Sequence, residues 1–225
     1  MKKLIVIRHG NTFRSGEPPR RIGRRTDLPL VEEERARKAG RFLLAQNLRP
    51  DQVFSASLKR TQETAKLVLD EMNLSLPVLL NDDFLEIDYG PDENQTEDTL
   101  MIRLGREALK KPGTENQDIP DVMALQEGQA IIDKWNREAL LPEGWKVDIP
   151  GLITQIRHFA DATEEDETRM VVSSNGVIRF FPEALLDEEH YTEFLKEHNL
   201  KVSTGGVSVF EFTKERWHCT FWNRS

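Results

Sequence analysis

The fold is decided by residues 4–12, LIVIRHGNT, in which an aliphatic run leads directly into polar residues. The run at 4–7 predicts a short strand that is buried on both faces, as in a parallel sheet covered by helices. The strand ends on Arg8, His9 and Gly10, whose chemistry packing alone does not explain. Ligands of open α/β sheets bind at the carboxyl ends of the strands. We therefore expect a functional site here, with a cation and an imidazole suited to a phosphate.

The composition predicts a globular protein with one sizeable core. The 225 residues are 38% hydrophobic and 31% charged, and the net charge is −8. This acidic balance argues against a nucleic-acid partner, and no apolar run approaches the roughly 20 residues of a membrane span. The run after Met1 is too short for a signal peptide, and the single Cys219 excludes an internal disulfide. We expect one domain over residues 1–225 in the cytoplasm, with no membrane partner.

Strands and helices alternate along the first part of the chain. We predict strands at 4–7, 51–55 and 77–80, and helices at 32–46 and 58–72, the second capped by Ser57. Further elements follow the middle of the chain: a helix at 151–163, a strand at 169–173, a helix from 174 to 186, and antiparallel strands at 207–212 and 217–222. This order predicts a three-layer α/β/α sandwich with a mostly parallel central sheet.

Residues 91–150 differ from the rest of the chain. They are polar, show no convincing strand, and contain two helix candidates at 97–110 and 121–140. Pro112-Gly113 and the PEG sequence at 142–144 separate these helices from their surroundings. We predict a helical insertion or lid that lies over the edge of the sheet.

Arg60 is a second candidate for the site. It lies in the first turn of a predicted helix, where a cation opposes the helix dipole, so helix stability does not explain it. It would point at the same sheet edge as Arg8, and two guanidinium forks suit a phosphoryl group. The alternative is a surface arginine that pairs with Glu63 or Glu71.

Glu86 follows the third strand, where a carboxylic acid near a phosphate would protonate the leaving oxygen. Asp88 competes for this role, because an extended chain places both on one side, and both could be solvated loop acids. A cluster of arginines after the first strand could attract an anionic substrate, or form a solvated loop with ion pairs. Its members are Arg14, Arg20, Arg21, Arg24 and Arg25.

Five segments resemble, in order, the motifs of the histidine phosphatase superfamily, phosphoglycerate-mutase-like branch. They are RHGNT at 8–12, TDLPL at 26–30, SASLKRTQETA at 55–65, LEIDYG at 85–90 and VVSSNGVIR at 171–179. The resemblance spans nearly the whole chain, although the insertion carries no matching motif.

The resemblance implies a role for each matched residue. His9 would be the nucleophile that becomes phosphohistidine, Arg8 and Arg60 would hold the phosphoryl oxygens, and Glu86 would donate a proton. Asn11 and Thr12 would line the phosphate pocket. Apart from the resemblance, we expect Arg25 of the arginine cluster to bind substrate. No metal and no cofactor are implied.

One position departs from the family pattern Val-Ser-His-Gly-Gly. Ser174 stands where the histidine is expected, and Asn175 follows it. Either side chain could bind phosphate, although Asn-Gly is also a common turn pair. The loss of one preorganised donor typically costs about 10²–10³ in rate. The other histidines are predicted to be surface or packing residues: His158, His190, His198 and His218.

These patterns predict a phosphatase that acts on a small phosphorylated metabolite through a phosphohistidine on His9. The departure at Ser174 leaves a second hypothesis open, a catalytically weak relative that binds a phosphorylated ligand. A phosphoglycerate mutase is a third. Aromatic residues near Trp217 and Trp222, expected to be exposed, would permit a homodimer.

Overall fold

The computed structural model describes residues 1–110 and 118–224, which form one six-stranded sheet with helices on both faces. The strand order is β3-β2-β4-β1-β5-β6, with β1–β4 and β6 running in one direction and β5 against them. The strands are β1 (Lys3–Arg8), β2 (Gln52–Ser55), β3 (Val78–Leu80), β4 (Thr168–Ser173), β5 (Val207–Thr213) and β6 (Arg216–Arg224). The helices are α1 (Glu34–Ala45), α2 (Lys59–Glu71), α3 (Glu97–Leu109), α4 (Asp121–Glu138), α5 (Ile149–Asp161), α6 (Asn175–Ile178), α7 (Phe181–Leu185) and α8 (Glu188–Glu197).

The aliphatic run of β1 separates two apolar cores. Ile5 and Ile7 belong to the core beneath α1 and α2, whereas Leu4 and Val6 belong to the core on the opposite face. Successive side chains of a strand point to opposite faces, so an apolar run buries both faces only when helices cover each of them. The prediction of a three-layer α/β/α fold with a mostly parallel sheet is confirmed.

Two local predictions were wrong. The N-cap of α2 is Leu58, whose side chain makes no capping hydrogen bond, and Asp27 instead accepts the Lys59 N–H of the first turn at 2.7 Å. Ser57 lies before the cap, where the Asp82 carboxylate accepts its N–H at 3.1 Å. The helix predicted from 174 to 186 is two short helices, α6 and α7. Pro182 lies in the first turn of α7, where its missing N–H is tolerated, and it could not continue a helix from α6.

The insertion is helical and shares the core of the sheet. Trp135 of α4 and Leu100 of α3 pack in the same apolar core as Leu4 of β1. The backbones of α3 and α4 approach closely at Gly128, where an added Cβ would lie 1.9 Å from the Met101 carbonyl oxygen. Pro112-Gly113, predicted to separate the two helices, lies outside the described residues.

An ion pair with a buried carboxylate holds the start of the insertion to α3 and to the segment before α5. The Asp92 carboxylate accepts a hydrogen bond from Arg103 Nε at 2.6 Å and another from Trp145 Nε1 at 2.7 Å. The Asp92 side chain is almost completely buried, so its negative charge depends on these donors. The carboxylate in turn raises the pKa of Arg103 through their hydrogen bond.

The C-terminal aromatic residues do not offer the exposed edges that were expected. Trp217 and Trp222 are both buried, and the Trp222 ring packs edge-on against Phe194 of α8. That part of the sequence prediction was wrong, and the homodimer loses the observation on which it rested. Across the described residues, no helix is both long enough and apolar enough to cross a membrane.

Candidate active site

The site lies where β1 and β4 end side by side. Arg8 of β1 is the register partner of Ser173 of β4, and the His9 N–H donates to the Ser173 carbonyl at 3.0 Å. The chain beyond each strand therefore emerges at the same edge, which brings His9 and Asn175 together. The prediction that ligand chemistry collects at this edge agrees with the topology.

His9 is a buried imidazole with one defined tautomer. Nδ1 donates to the Gly10 carbonyl at 2.8 Å, because a carbonyl oxygen can only accept. Nε2 consequently carries the free lone pair. Burial lowers the pKa of His9 well below its usual value of 6.5, and the positive charges of Arg60 and Arg8 lower it further. The ring is therefore neutral and nucleophilic at neutral pH.

Two guanidinium groups flank His9, and both are anchored by backbone carbonyls. Arg60 is completely buried and donates to the carbonyls of Thr26 at 2.8 Å and Gly23 at 3.1 Å. Arg8 donates to the Val202 carbonyl. In the described part of the chain, the buried Nε atoms of both arginines have no hydrogen-bond partner. Arg8 lines the cavity, whereas Arg60 does not.

The surface alternative for Arg60 is excluded by its burial and by the partners of the two acids. Glu63 accepts the Leu30 N–H at 2.7 Å, and Glu71, at the opposite end of α2, lies in ion pairs with Arg37 and Arg41. Burial lowers the pKa of Arg60 and opposes the raising effect of Glu86. Such an environment favours a bound anion.

Glu86 lines the same cavity, and its carboxylate is held by three donors. Oε1 accepts the Ile87 N–H at 2.9 Å, and Oε2 accepts the Tyr89 hydroxyl at 3.1 Å and, more weakly, the Gly176 N–H at 3.4 Å. Burial raises the pKa of Tyr89, so its hydroxyl remains a donor. Asp88 does not compete, because its carboxylate pairs with Arg25 at 3.2 Å and accepts the Gly90 N–H.

The two candidates that follow β4 are placed differently. Asn175 lines the cavity, and its Oδ1 accepts the Val202 N–H at 2.8 Å. Ser174 does not line the cavity, and its completely buried hydroxyl has no hydrogen-bond partner among the described residues. Only Asn175 therefore presents a side chain to a ligand.

The other residues predicted to bind phosphate or substrate also differ in whether they line the cavity. Asn11 and Thr12 line the cavity, and the Asn11 amide donates to Glu32 at 3.1 Å while its Oδ1 accepts the Thr204 hydroxyl. Arg25 does not line the cavity, because its exposed guanidinium bonds to Asp88 and to the Gly90 carbonyl. This placement argues against the predicted substrate contact of Arg25.

The cavity has a volume of about 690 Å³, and its outer wall comes from two regions. One is the loop at 13–22, which contributes three members of the arginine cluster, and the other is the insertion. From the insertion, Ile132 and Asn136 of α4 and Glu97 of α3 reach the cavity. The wall residues of the arginine cluster are Arg14, Arg20 and Arg21, whereas Arg24 lines a separate surface cavity.

Several residues near the site were not assigned a role from the sequence. Tyr89 is the hydroxyl partner of Glu86, and Lys201 lines the cavity from a loop that carries no motif. Arg179 is completely buried and stacks on Trp135, with its guanidinium carbon 3.7 Å from the ring centroid. In the sequence, Arg179 stands between Ile178 and two phenylalanines. A charged residue is unusual in such an apolar run, and this was the signal by which Arg179 could have been singled out. The other four histidines do not line the cavity.

The model of the histidine phosphatase superfamily (branch 1) matches residues 4–138, more than half of the chain. The chain therefore belongs to the histidine phosphatase superfamily. A 2,3-bisphosphoglycerate-dependent phosphoglycerate mutase of Methylobacterium sp. (strain 4-46) is 34% identical over 118 residues, which cover 48% of this chain and 53% of that protein. A mutase of the same description from Bradyrhizobium sp. (strain ORS 278) is 33% identical over 114 residues, or 47% of this chain and 52% of that protein. These matches span about half the length of the relatives.

Solved structures extend the likeness of the fold to nearly the whole chain. A mycobacterial glucosyl-3-phosphoglycerate phosphatase superposes with a TM-score of 0.65 at 17% identity, over 99% of each chain. An alpha-ribazole phosphatase from Shigella flexneri superposes with a TM-score of 0.62 at 19% identity, over 99% of this chain and 96% of that chain. At these identities the likeness establishes the fold and leaves the substrate open.

Proposed function

We propose that this protein is a metal-independent phosphomonoesterase that hydrolyses a small phosphorylated metabolite through a phosphohistidine on His9. The observation that carries the proposal is the state of the His9 ring. Its Nδ1 is anchored, its Nε2 is free, and it lies close to the half-buried Arg8 and the buried Arg60. A neutral nucleophile beside two preorganised cations suits attack on a phosphate ester.

The proposed reaction has two balanced steps. His9 Nε2 attacks phosphorus, the ester P–O bond breaks, and protonated Glu86 gives its proton to the leaving oxygen. Water then attacks the phosphohistidine, the P–N bond breaks, and the Glu86 carboxylate takes the proton from water. Arg8 and Arg60 stabilise the equatorial oxygens in both steps. After both steps His9 is neutral and Glu86 is protonated again, and inorganic phosphate is released.

The cations of the outer wall support an anionic substrate. Arg14, Arg20 and Lys201 line the cavity around its opening and would attract a phosphorylated molecule. Sequence relatives are named phosphoglycerate mutases, and two structural neighbours are named glucosyl-3-phosphoglycerate phosphatase and alpha-ribazole phosphatase. The single cysteine supports the expectation of a cytoplasmic setting.

The test is phosphate release from an aryl phosphate and from a panel of phosphorylated metabolites. We expect the wild-type protein to turn over and His9→Ala to lose roughly 10⁴-fold or more, the scale on which loss of a nucleophile acts in other hydrolases. Incubation with a ³²P-labelled substrate would label the protein, and loss of that label in acid would identify phosphohistidine. A protein whose ³²P label is stable in acid serves as the control. Equal activity, or equal inactivity, of the two proteins contradicts the proposal.

One observation favours a second candidate, a weakly catalytic relative that binds a phosphorylated ligand. The Ser174 hydroxyl, at the position where the resemblance expects a histidine, does not reach the cavity. This candidate predicts binding of inorganic phosphate by calorimetry without turnover, and activity on introduction of Ser174→His. A fall in existing activity on that substitution would instead identify a working variant of the site.

A further inference from the structure

Asn175 and Arg8 are joined through the backbone of one residue, Val202. The Val202 N–H donates to Asn175 Oδ1 at 2.8 Å, and the Val202 carbonyl accepts from Arg8 Nη1. A backbone N–H can bond only to the oxygen of a carboxamide, so the orientation of the amide is determined. The NH₂ group of Asn175 is thus the end that remains for the cavity, on the wall that also carries His9.

A second set of contacts holds the backbone of Asn175. Arg179, one helical turn further along, donates from Nε to the Asn175 carbonyl at 3.2 Å. Its Nη1 donates to the Trp135 carbonyl, and its guanidinium stacks on the Trp135 ring. Because Trp135 belongs to α4, Arg179 connects the insertion to the turn that carries Asn175. Complete burial makes this arrangement well defined.

We infer that the Asn175 carboxamide donates to the phosphoryl oxygens beside His9, and that Arg179 is the residue that positions it. This inference rests on the proposed function, since it concerns the same phosphoryl group. The resemblance gives this role to a histidine at position 174. Here the role belongs to the next residue, Asn175. The donor is neutral, so it adds no titration to phosphate binding and leaves the positive charge to Arg8 and Arg60.

Asn175→Asp is the most direct test. The aspartate retains an oxygen for the Val202 N–H, and it replaces the NH₂ donor by an anionic oxygen. We expect the Kd of inorganic phosphate at pH 7, measured by calorimetry, to rise about 10–100-fold, the range for a hydrogen bond to a charged group. The kcat for an aryl phosphate should fall in parallel, while the unfolding midpoint of the protein changes little.

Ser174→Ala is the matched control. Its hydroxyl is buried and does not line the cavity, so phosphate affinity and kcat should stay within about threefold of wild type. If Asn175→Asp does not fold, Asn175→Gly removes the same carboxamide without adding charge and should show at least a tenfold loss of phosphate affinity. Wild-type affinity in the Asn175 variants, or an equal loss in Ser174→Ala, overturns the inference.

A double-mutant cycle tests the positioning role of Arg179. Arg179→Lys keeps the charge but loses the forked donation, and it should weaken phosphate binding several-fold in the wild-type background. In the Asn175→Gly background it should change the Kd less than about twofold, because no carboxamide remains to be positioned. Additive effects would show that Arg179 acts on the structure in general.

The wild-type protein separates this inference from the proposed function. If wild type neither releases nor binds phosphate, the proposed function and the inference are both wrong. If wild type turns over and its His9→Ala variant does not, while the Asn175 variants behave as wild type, the phosphatase assignment stands. In that case only the role of Asn175 is wrong.

Discussion

The inner and outer walls of the cavity are built in opposite ways. The inner wall carries His9, Arg8 and Glu86, and Arg60 is buried close to His9 without lining the cavity. The polar atoms of these four residues bond mainly to backbone groups of the sheet edge and its loops. The outer wall is formed by exposed arginines of the loop at 13–22 and by the insertion. A side chain that bonds to backbone groups is held more firmly than an exposed charged side chain. The inner wall is therefore suited to chemistry, and the outer wall to the choice of substrate.

The two walls meet at few points, which makes their separation testable. Arg179 joins α4 of the outer wall to Asn175 of the inner wall. Within the outer wall, Arg21 of the loop forms an ion pair with Glu97 of α3 at 2.7 Å. Burial alone would lower the pKa of Arg21, but the Glu97 carboxylate and the neighbouring Tyr89 outweigh it and the pKa is raised. Substitutions in the inner wall should therefore act on kcat for every substrate. Substitutions in the outer wall should act on KM for particular substrates.

The largest effect is expected for Glu86→Gln. Glutamine keeps the shape of the side chain but cannot transfer a proton, so kcat should fall about 10²–10⁴-fold for a metabolite with a poor leaving group. A nitrophenyl phosphate, whose leaving group needs no proton, should lose much less. The measurement is the ratio of the two kcat losses. An equal loss for both substrates would mean that Glu86 acts by its charge and not as an acid.

Arg60→Met and Arg25→Met form a matched pair. The first removes a buried fork beside His9 and should lower kcat about 10²–10³-fold, the scale for one preorganised oxyanion donor. The second removes an exposed arginine that faces Asp88, and turnover should change less than about twofold. Steady-state kinetics on one aryl phosphate check both. A comparable loss in Arg25→Met would place that residue back in the substrate site.

Gly128→Ala tests the outer wall. Its Cβ would lie 1.9 Å from the Met101 carbonyl oxygen, so α3 and α4 must separate, at a cost of about 1–3 kcal/mol in the free energy of unfolding. Gln126→Ala, on an exposed part of α4, should stay within about 0.5 kcal/mol of wild type in urea unfolding. If Gly128→Ala lowers kcat for a metabolite with a poor leaving group as much as Glu86→Gln does, the two walls are not separable.

The smallest expected effect concerns pH. Because the native pKa of His9 lies well below 6.5, the unfolded chain binds more protons than the native protein in the interval between the two values. The free energy of unfolding should therefore fall as pH decreases through that interval, by up to about 1.4 kcal/mol per pH unit. Urea unfolding of wild type and His9→Asn at several pH values isolates this contribution. Identical pH slopes for the two proteins would contradict a depressed His9 pKa.

The sequence predicted the sheet and its functional edge because both depend on short-range patterns. An aliphatic run at 4–7 reads as a strand buried on both faces, and the residue after its end must lie at the edge. Boundaries and caps were less accurate. The cap of α2 was assigned to Ser57, yet Asp82, 25 residues further along, holds the Ser57 backbone. No local pattern reports such a contact.

The environment of each arginine could not be predicted from the sequence, because it also depends on contacts between residues that are distant in the chain. Arg60 and Arg25 are both arginines near candidate motifs, and only Arg60 is buried close to His9. Arg60 is enclosed because the chain at Gly23 and Thr26 folds over it and accepts its hydrogen bonds. Arg25 lies two residues from Gly23 on that same loop, but it faces outward toward Asp88.

The sequence alone determined which chemical groups this protein carries and at which edge of the sheet they meet. Strand period and motif order are local, so the positions of His9, Arg8 and Glu86 could be inferred without a structure. Only the tertiary structure decided that Asn175 and not Ser174 reaches the cavity, and that α4 supplies part of the outer wall. Val202 orients the Asn175 amide from 27 residues away, and such long-range contacts arise only when the chain is packed.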